Sequence, residues 1–284
     1  MSDTLRQTWN DIAYAWDDWG PPLRPDAEDL RHFRLALVRW QAEVRPEVAE
    51  VFLCGVTPEI VTMDWPFPIH LIGVDRSESM VRVVWPGDIP GVRRGLVGNW
   101  LRPPVPPHSQ DVVLLDGGIG FFDYPDGQRA LLAAMHRMLR PRGLVVLRLY
   151  AQAERRETLA EVLQALRAGQ IGNFHVFKWR VAAALQPDTR RGVKQDEVWR
   201  ACTEAGLDPS RLPQPGWSPQ ALATIRFYEG KETPLYFPTL AEFRALVAER
   251  FQGIEVVYPS YELGERCPFV IARPRTPIPD EQRP

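Results

Sequence analysis

Short apolar runs alternate with stretches of helical spacing over the middle of this chain. Val51-Phe-Leu-Cys54, Leu71-Ile-Gly-Val74, Arg94 to Val97, Asp111-Val-Val-Leu-Leu115 and Leu144 to Leu149 read as strands, each stopped by Gly, Asp or Tyr. Residues 77–85, with Ser77 as N-cap, and 127–139, with Leu131, Leu132, Met135 and Met138 on one stripe, read as helices between them. Pro141-Arg-Gly143 predicts a turn into the fifth strand. Such alternation implies a parallel sheet covered on both faces. Before it, residues 3–19 predict an aromatic helix stopped by Gly20-Pro21-Pro22, and Pro25-Asp26 opens a second helix with Leu30, Phe33, Leu37 and Trp40 on its apolar face.

The alternation breaks from 151 to 235, where helices at 154–168, 173–186 and 195–206 follow one another and turns are marked by Pro209, Pro213, Pro215 and Gly216. A helix at 240–250 capped by Thr239, then strands 254–258 and 269–272 joined as an antiparallel hairpin, resume the α/β pattern. The expected architecture is α/β: a Rossmann-like, doubly wound, mostly parallel seven-stranded sheet with an N-terminal helical segment (1–45), a core (46–150 and 236–273), an inserted helical cap (151–235) and a polar, disordered tail (274–284).

Composition narrows the function. At 284 residues the chain can bury a sizeable core unaided. With 34 Lys plus Arg against 36 Asp plus Glu, nothing calls for nucleic acid or an anionic membrane as partner. No run approaches the ~18 apolar residues of a membrane span, and Met1 to Gly20 has no signal-like apolar core. Three separated cysteines (54, 202, 267) suit a reducing cytoplasm and form no zinc-binding pattern, so no metal site is expected. Oligomeric state is left open.

Ligands of open parallel sheets bind beyond the carboxyl ends of the strands. The tips here are Gly55-Val-Thr-Pro-Glu59, Asp75-Arg76-Ser77, Gly98-Asn99-Trp100 and Asp116-Gly117-Gly118. For a ligand carrying adenosine, Gly55 admits a close backbone approach. Asp75, 20 residues on, accepts from two ribose hydroxyls. Asn99 meets an adenine edge, and Trp100 or Met80 covers the purine face. Taken singly, Gly55 is a turn residue and Asp75 a helix cap; their joint placement makes the site.

These tips and their order resemble the class I S-adenosylmethionine-dependent methyltransferases over 45–150 and 239–273. The resemblance is carried by Gly73-Val-Asp-Arg-Ser-Glu-Ser-Met80, Gly98-Asn-Trp100, Asp111-Val-Val-Leu-Leu-Asp-Gly117 and Leu139-Arg-Pro-Arg-Gly-Leu144. It extends to a bacterial subgroup without an assigned substrate through Pro21-Pro-Leu-Arg-Pro25, the Gly55–Glu59 loop and Tyr261-Glu-Leu-Gly-Glu-Arg-Cys-Pro268. The first loop lacks the family's second glycine, and Asn99 stands where Asp is usual.

The resemblance implies S-adenosylmethionine as cofactor. Asp75 would hold the ribose and Asn99 the adenine amino group, in a site that takes in Glu59, Arg76, Met80 and Trp100. Gly55 and Thr57 would line the methionine moiety, and Asp116 or Gly117 would stand beside the sulfonium. The N-terminal segment would fold over the pocket, with Trp19 as lid and Arg24 on the methionine carboxylate. The insert would hold a small-molecule acceptor.

Within the insert, His175 is the candidate general base, Tyr228 a second catalytic candidate, and Lys178 and Arg180, with Tyr261 near the late strands, candidate substrate-binding residues. A buried structural histidine and an ion-paired helix face are the plainer alternatives. Glu262 and Arg266 are further candidates, and Cys267 is expected to be buried. Two other functions stay open: a cofactor-binding sensor or scaffold without turnover, and a nicotinamide-dependent oxidoreductase, for which the Gly55 loop lacks the G-x-G-x-x-G turn.

Overall fold

The computed structural model describes residues 3–206 and 217–275, with side chains from Trp9 onward. The N-terminal segment forms helix α1 (Asp3–Tyr14), a 3-10 turn (Trp16–Asp18) and α2 (Ala27–Val44). Asp26 caps α2 by accepting from the Glu28 and Asp29 N–H groups, and Asp29 returns the bond to the Asp26 N–H.

Strands β1 (Ala49–Cys54), β2 (Ile69–Asp75), β3 (Arg93–Val97), β4 (Gln110–Asp116) and β5 (Leu139–Arg148) follow, separated by α3 (Pro58–Val61), a π-helical segment (Met80–Val84) and α4 (Asp126–Met138). The insert contributes α5 (Leu159–Arg167), α6 (Phe174–Leu185), strand β6 (Val193–Lys194), α7 (Gln195–Glu204), α8 (Pro219–Ala223), a 3-10 turn (Thr224–Tyr228) and strand β7 (Pro234–Leu235). Helix α9 (Leu240–Ala248) and strands β8 (Phe251–Val257) and β9 (Phe269–Pro274) complete the fold.

The seven-stranded sheet has the order β3-β2-β1-β4-β5-β9-β8. The first five strands are parallel, and β9 runs antiparallel to both β5 and β8. The expected sheet and its closing hairpin are thus present. Side-chain alternation divides the strands between two cores. Val51, Leu53, Val112, Leu114, Leu144 and Val146 face α2 through Phe33, Leu37 and Trp40. Phe52, Cys54, Val113, Leu115, Val145 and Leu147 face α4 and α9. The first core continues into the insert through Phe174 and Phe177.

Several boundaries differ from the sequence expectation, beginning with the first helix, which ends at Tyr14 and gives way to the 3-10 turn before Gly20 is reached. β5 begins at Leu139, with no free turn at Pro141-Arg-Gly143: the chain stays in the sheet through a register shift opposite Gln110 and Val112, and the Trp40 Nε1–H donates to the Arg142 carbonyl there (2.9 Å). The first insert helix starts at 159 instead of 154, because Thr158 and Glu161 form the capping box. β8 starts three residues early, at Phe251. The expected turns at Pro209, Pro213, Pro215 and Gly216, and the tail beyond Arg275, lie outside the described residues. Among the described residues no helix is long and apolar enough to cross a membrane, and Cys54, Cys202 and Cys267 are all buried and free.

Candidate functional site

The parallel register ends β1, β2 and β4 at one level, and the loops after them open a cavity of about 420 Å3. This size is ordinary for a ligand site. Gly55 follows β1 with φ of +114°, a conformation L side chains avoid, and a Cβ built there would meet nothing closer than 3.9 Å. The residue leaves open space at the cavity wall. Its N–H is fixed on the Val74 carbonyl (2.8 Å), and the indole N–H of Trp100 reaches the same oxygen (2.5 Å).

Asp75, at the tip of β2, lines the cavity. Its Oδ1 accepts from the Ser77 N–H (2.8 Å), and burial pushes its carboxyl up to about 6. Ser77 Oγ in turn accepts from the Met80 N–H (3.3 Å). Asn99 accepts from Arg76 (3.0 Å) and from the Leu101 N–H (3.0 Å), so both bonds fall on its Oδ1. Thr57, Arg76, Met80, Asn99, Trp100, Asp116 and Gly117 join Gly55 and Asp75 on the wall. The four strand tips therefore meet at one place, as their order predicts.

Beneath Asp116 lies a buried ionic cluster. Arg148, the last residue of β5 and the register partner of Asp116, is wholly inaccessible and pairs with Asp116 through Nε and Nη2 and with Asp29 of α2 through Nη1 (2.6 Å). Tyr261 donates to Asp29 (2.9 Å) and accepts from Arg148 (3.1 Å). Two carboxylates share one guanidinium. Burial raises Asp29 to about 6 against the pull of Arg148, with Asp116 pushing the same way. The cluster carries one negative charge when both acids are ionised, next to the cavity floor.

The roof is aromatic. Trp9, Trp16 and Trp19 come from the N-terminal segment, Tyr150 from the tip of β5, and Trp179 and Tyr228 from the insert. Trp9 meets Phe121, after β4, edge to face (5.2 Å between centroids), and Tyr150 meets Trp179 the same way (5.1 Å).

Several expected roles do not fit these positions. Arg24 reaches the wall, but its Nε and Nη2 hold Glu59 Oε1 (2.7 and 2.6 Å) and its Nη1 the Trp16 carbonyl (2.9 Å), over the Trp16 ring. Its carboxylate partner is Glu59, so Arg24 is already paired, and Glu59 itself is not on the cavity wall. His175 is off the wall, stacked on the far side of Trp19 (5.8 Å), with Nε2 on the Asp18 carbonyl. Burial, with Lys178 adding to it, lowers its pKa to about 3.

Lys178 is sealed among Trp19, Tyr228 and Phe174, with Nζ 3.9 Å from the Trp19 ring centroid and 3.3 Å from Thr224 Oγ1. Burial brings it down to about 7. Arg180 and Arg266 clamp Glu157 away from the cavity. Tyr261 belongs to the buried cluster, and Glu262 binds the Gly172 N–H. Burial pushes the Cys267 thiol up to about 12, so it is inert. Of the catalytic candidates only Tyr228 reaches the cavity, and burial raises its phenol, which keeps it protonated.

Tyr150, Trp179, Gln195 and Thr233 line the cavity without having been singled out. The strand-tip rule extends to Tyr150, directly after the fifth strand. Helical spacing draws one stripe through Asn173, Phe177 and Arg180 and another through Phe174, Lys178 and Val181, and Trp179 belongs to neither. A more open cleft of about 460 Å3, at the opposite ends of β1 and β2 beside Trp65, Phe67 and His70, gathers none of the candidate residues. Among the described residues no three His, Cys, Asp or Glu side chains are gathered as a metal centre.

No protein-family model and no curated protein matches this sequence. Solved structures do. A Rhodobacter sphaeroides protein provisionally described as a zinc-dependent alcohol dehydrogenase superposes with a TM-score of 0.59 at 14% identity, covering 97% of this chain and 100% of that one. The N-methyltransferase NodS of Bradyrhizobium japonicum, in complex with S-adenosyl-L-homocysteine, gives 0.51 at 12% identity over 97% and 100%. The CurJ carbon methyltransferase gives 0.52 at 10% over 89% and 56%. At such identities the likeness is one of fold, and the chain has the class I methyltransferase fold.

Proposed function

We propose that this protein transfers the methyl group of S-adenosylmethionine to an O, N or S nucleophile of a small-molecule acceptor. The observation that carries the reading is the meeting of Asp75, Gly55, Asn99 and the Asp116–Gly117 turn on one cavity at the carboxyl ends of the strands. The residues fit the cofactor. Asp75 keeps one carboxylate oxygen unengaged by Ser77 for a ribose. Gly55 leaves backbone room, and Met80 and Trp100 offer faces to a purine.

When bound, S-adenosylmethionine supplies an electrophilic methyl on a sulfonium that leaves as a neutral thioether. The chain's part is positional. The negative cluster of Asp116, Asp29 and Arg148 favours a cation above it, and the aromatic roof excludes water from the reacting atoms. Tyr228, kept protonated, donates a hydrogen bond to the acceptor and does not take its proton, which leaves to solvent.

The N-terminal segment and the insert, as roof, are the acceptor's side of the site. The neutral charge balance suits a small acceptor in the cytoplasm. Val56, in place of a second loop glycine, favours one other reading: the same cavity holding the cofactor as a sensor, without turnover. Incubation of the full chain with methyl-labelled S-adenosylmethionine and fractionated small-molecule extract tests the choice. Label in a low-mass product supports transfer. Tight cofactor binding with no labelled product in any fraction supports the sensor.

A further inference from the structure

On the cavity wall contributed by the insert, the Gln195, Thr233 and Tyr228 side chains and the Trp179 indole N–H have no hydrogen-bond partner among the described residues. Strands β6 and β7 pair antiparallel, Val193 with Leu235 and Lys194 with Pro234. One step beyond, the Gln195 N–H donates to the Thr233 carbonyl (3.2 Å), which brings these two residues together at the cavity. Gln195 is only 4% exposed, yet its carboxamide has no partner among the described residues, and neither does the Thr233 hydroxyl. The buried polar atoms without a partner on this cavity include the indole N–H groups of Trp19 and Trp179, and groups so buried are almost always bonded. With the Gln195 carboxamide, they are placed to bond what enters the cavity. The Tyr228 hydroxyl, on the same wall, is likewise without a protein partner.

The surroundings state the rest of the ligand's chemistry. Trp19, Tyr150, Trp179 and Phe121 give it flat aromatic walls, and the unpartnered indole N–H groups of Trp19 and Trp179 add donors along them. The nearby cations are engaged: Arg24 by Glu59, Arg148 by Asp29 and Asp116, Arg76 by the charge of the adjoining Asp75 carboxylate, and Lys178 sealed among Trp19, Tyr228 and Phe174. An anion would therefore lose its hydration without gaining a counter-charge. A cation would share a cavity of about 420 Å3 with a sulfonium and be repelled by it.

The geometry points to an acceptor that is neutral and flat and carries a hydroxyl or carbonyl group, anchored by Gln195 and Thr233. This assignment rests on the methyl-transfer reading of the cavity. Gln195 offers a donor and an acceptor, and Thr233 can serve as either, so the pair reads one polar edge of the acceptor while the aromatic walls hold its faces.

The test uses four probes of one shape on the full chain at neutral pH, by calorimetry, with and without S-adenosyl-L-homocysteine: 2-naphthol, naphthalene, 2-naphthoate and 2-(aminomethyl)naphthalene. The expected result is that 2-naphthol binds about tenfold more tightly than each of the others. Gln195→Leu and Thr233→Val should each reduce that preference, and together abolish it, with S-adenosyl-L-homocysteine affinity and thermal midpoint retained. Thr233→Val is nearly isosteric and keeps the test readable if Gln195→Leu folds poorly. A naphthoate or ammonium probe that binds as well as naphthol, a preference that survives both substitutions, or no binding by any probe overturns the assignment. If S-adenosyl-L-homocysteine fails to bind while the naphthol preference and its loss in the variants persist, the anchor stands and the methyl-transfer reading falls.

Discussion

The floor of the cavity is backbone and short side chains, and its roof is rings. On the floor, Gly55 at φ +114° and Gly117 at +66° set the chain's path, and Asp75, Asn99 and Asp116 stand at fixed heights because their strands are in register. A Cβ on Gly117 would lie 2.3 Å from Tyr150. On the roof, Trp9, Trp16, Trp19, Trp179 and Tyr228 arrive from helices before and after the core, and their positions follow from packing against one another. Hydrogen-bonded register leaves the floor little freedom, whereas packed rings can be exchanged for others of similar volume. A constant ligand belongs on the first surface and a variable one on the second.

The largest effect that separates the two comes from below the floor. Arg148→Met leaves Asp29 and Asp116 buried without a counter-charge, and should cost about 3–5 kcal/mol of stability in urea denaturation. A loss under about 1 kcal/mol would mean that the cluster does not hold the floor.

Next, Asp75→Ala should weaken S-adenosyl-L-homocysteine binding by roughly 1.5–3 kcal/mol for each charge-assisted bond lost, while Trp179→Leu on the roof leaves that affinity within about threefold. Equal losses from both variants would erase the distinction between the surfaces. Wild-type affinity should also fall as pH drops through about 6, where Asp75 takes up its proton, and Asp75→Asn should remove this dependence. The folded-state pKa of Asp75 and Asp29 is raised above the unfolded value, so their protonation stabilises the free protein as pH falls from about 6 towards 4. Denaturation measured alongside therefore separates lost binding from lost structure.

The smallest loss at neutral pH belongs to the roof's support. Lys178→Met replaces a sealed amine by an apolar chain of similar length and removes the cost of burying that amine, so stability at pH 7 should not fall below that of wild type. The folded pKa of Lys178, about 7, lies below its unfolded value, so wild-type stability should rise with pH above 7 as the unfolded chain alone holds that proton. The variant should lose this contribution to the rise. A rise unchanged in Lys178→Met would place the titrating group elsewhere.

The same contrast explains what the sequence makes legible. Apolar runs ended by Gly or Asp locate the strands within a few residues, and parallel topology then brings residues 55, 75, 99 and 116 together without further information. The roof has no such rule. Helical spacing places Lys178 on one stripe of α6 and Trp179 on neither, but does not say which side of the helix meets the cavity, and the amine offered as a substrate-binding group is sealed inside. Arg148 sits at the end of an apolar strand, and its partner Asp29 lies 119 residues away in a helix-capping pattern. Gln195 and Thr233 meet only through a two-residue ladder that neither segment announces.

A crystal structure of the full chain with S-adenosyl-L-homocysteine tests the central claim most directly. It should place the ribose hydroxyls on Asp75, the adenine beside Asn99 and the thioether sulfur over the Asp116–Gly117 turn, with Gln195 and Thr233 facing the space beyond. A nucleoside bound away from the strand tips, or soaked crystals with no nucleoside at the strand tips, would contradict it.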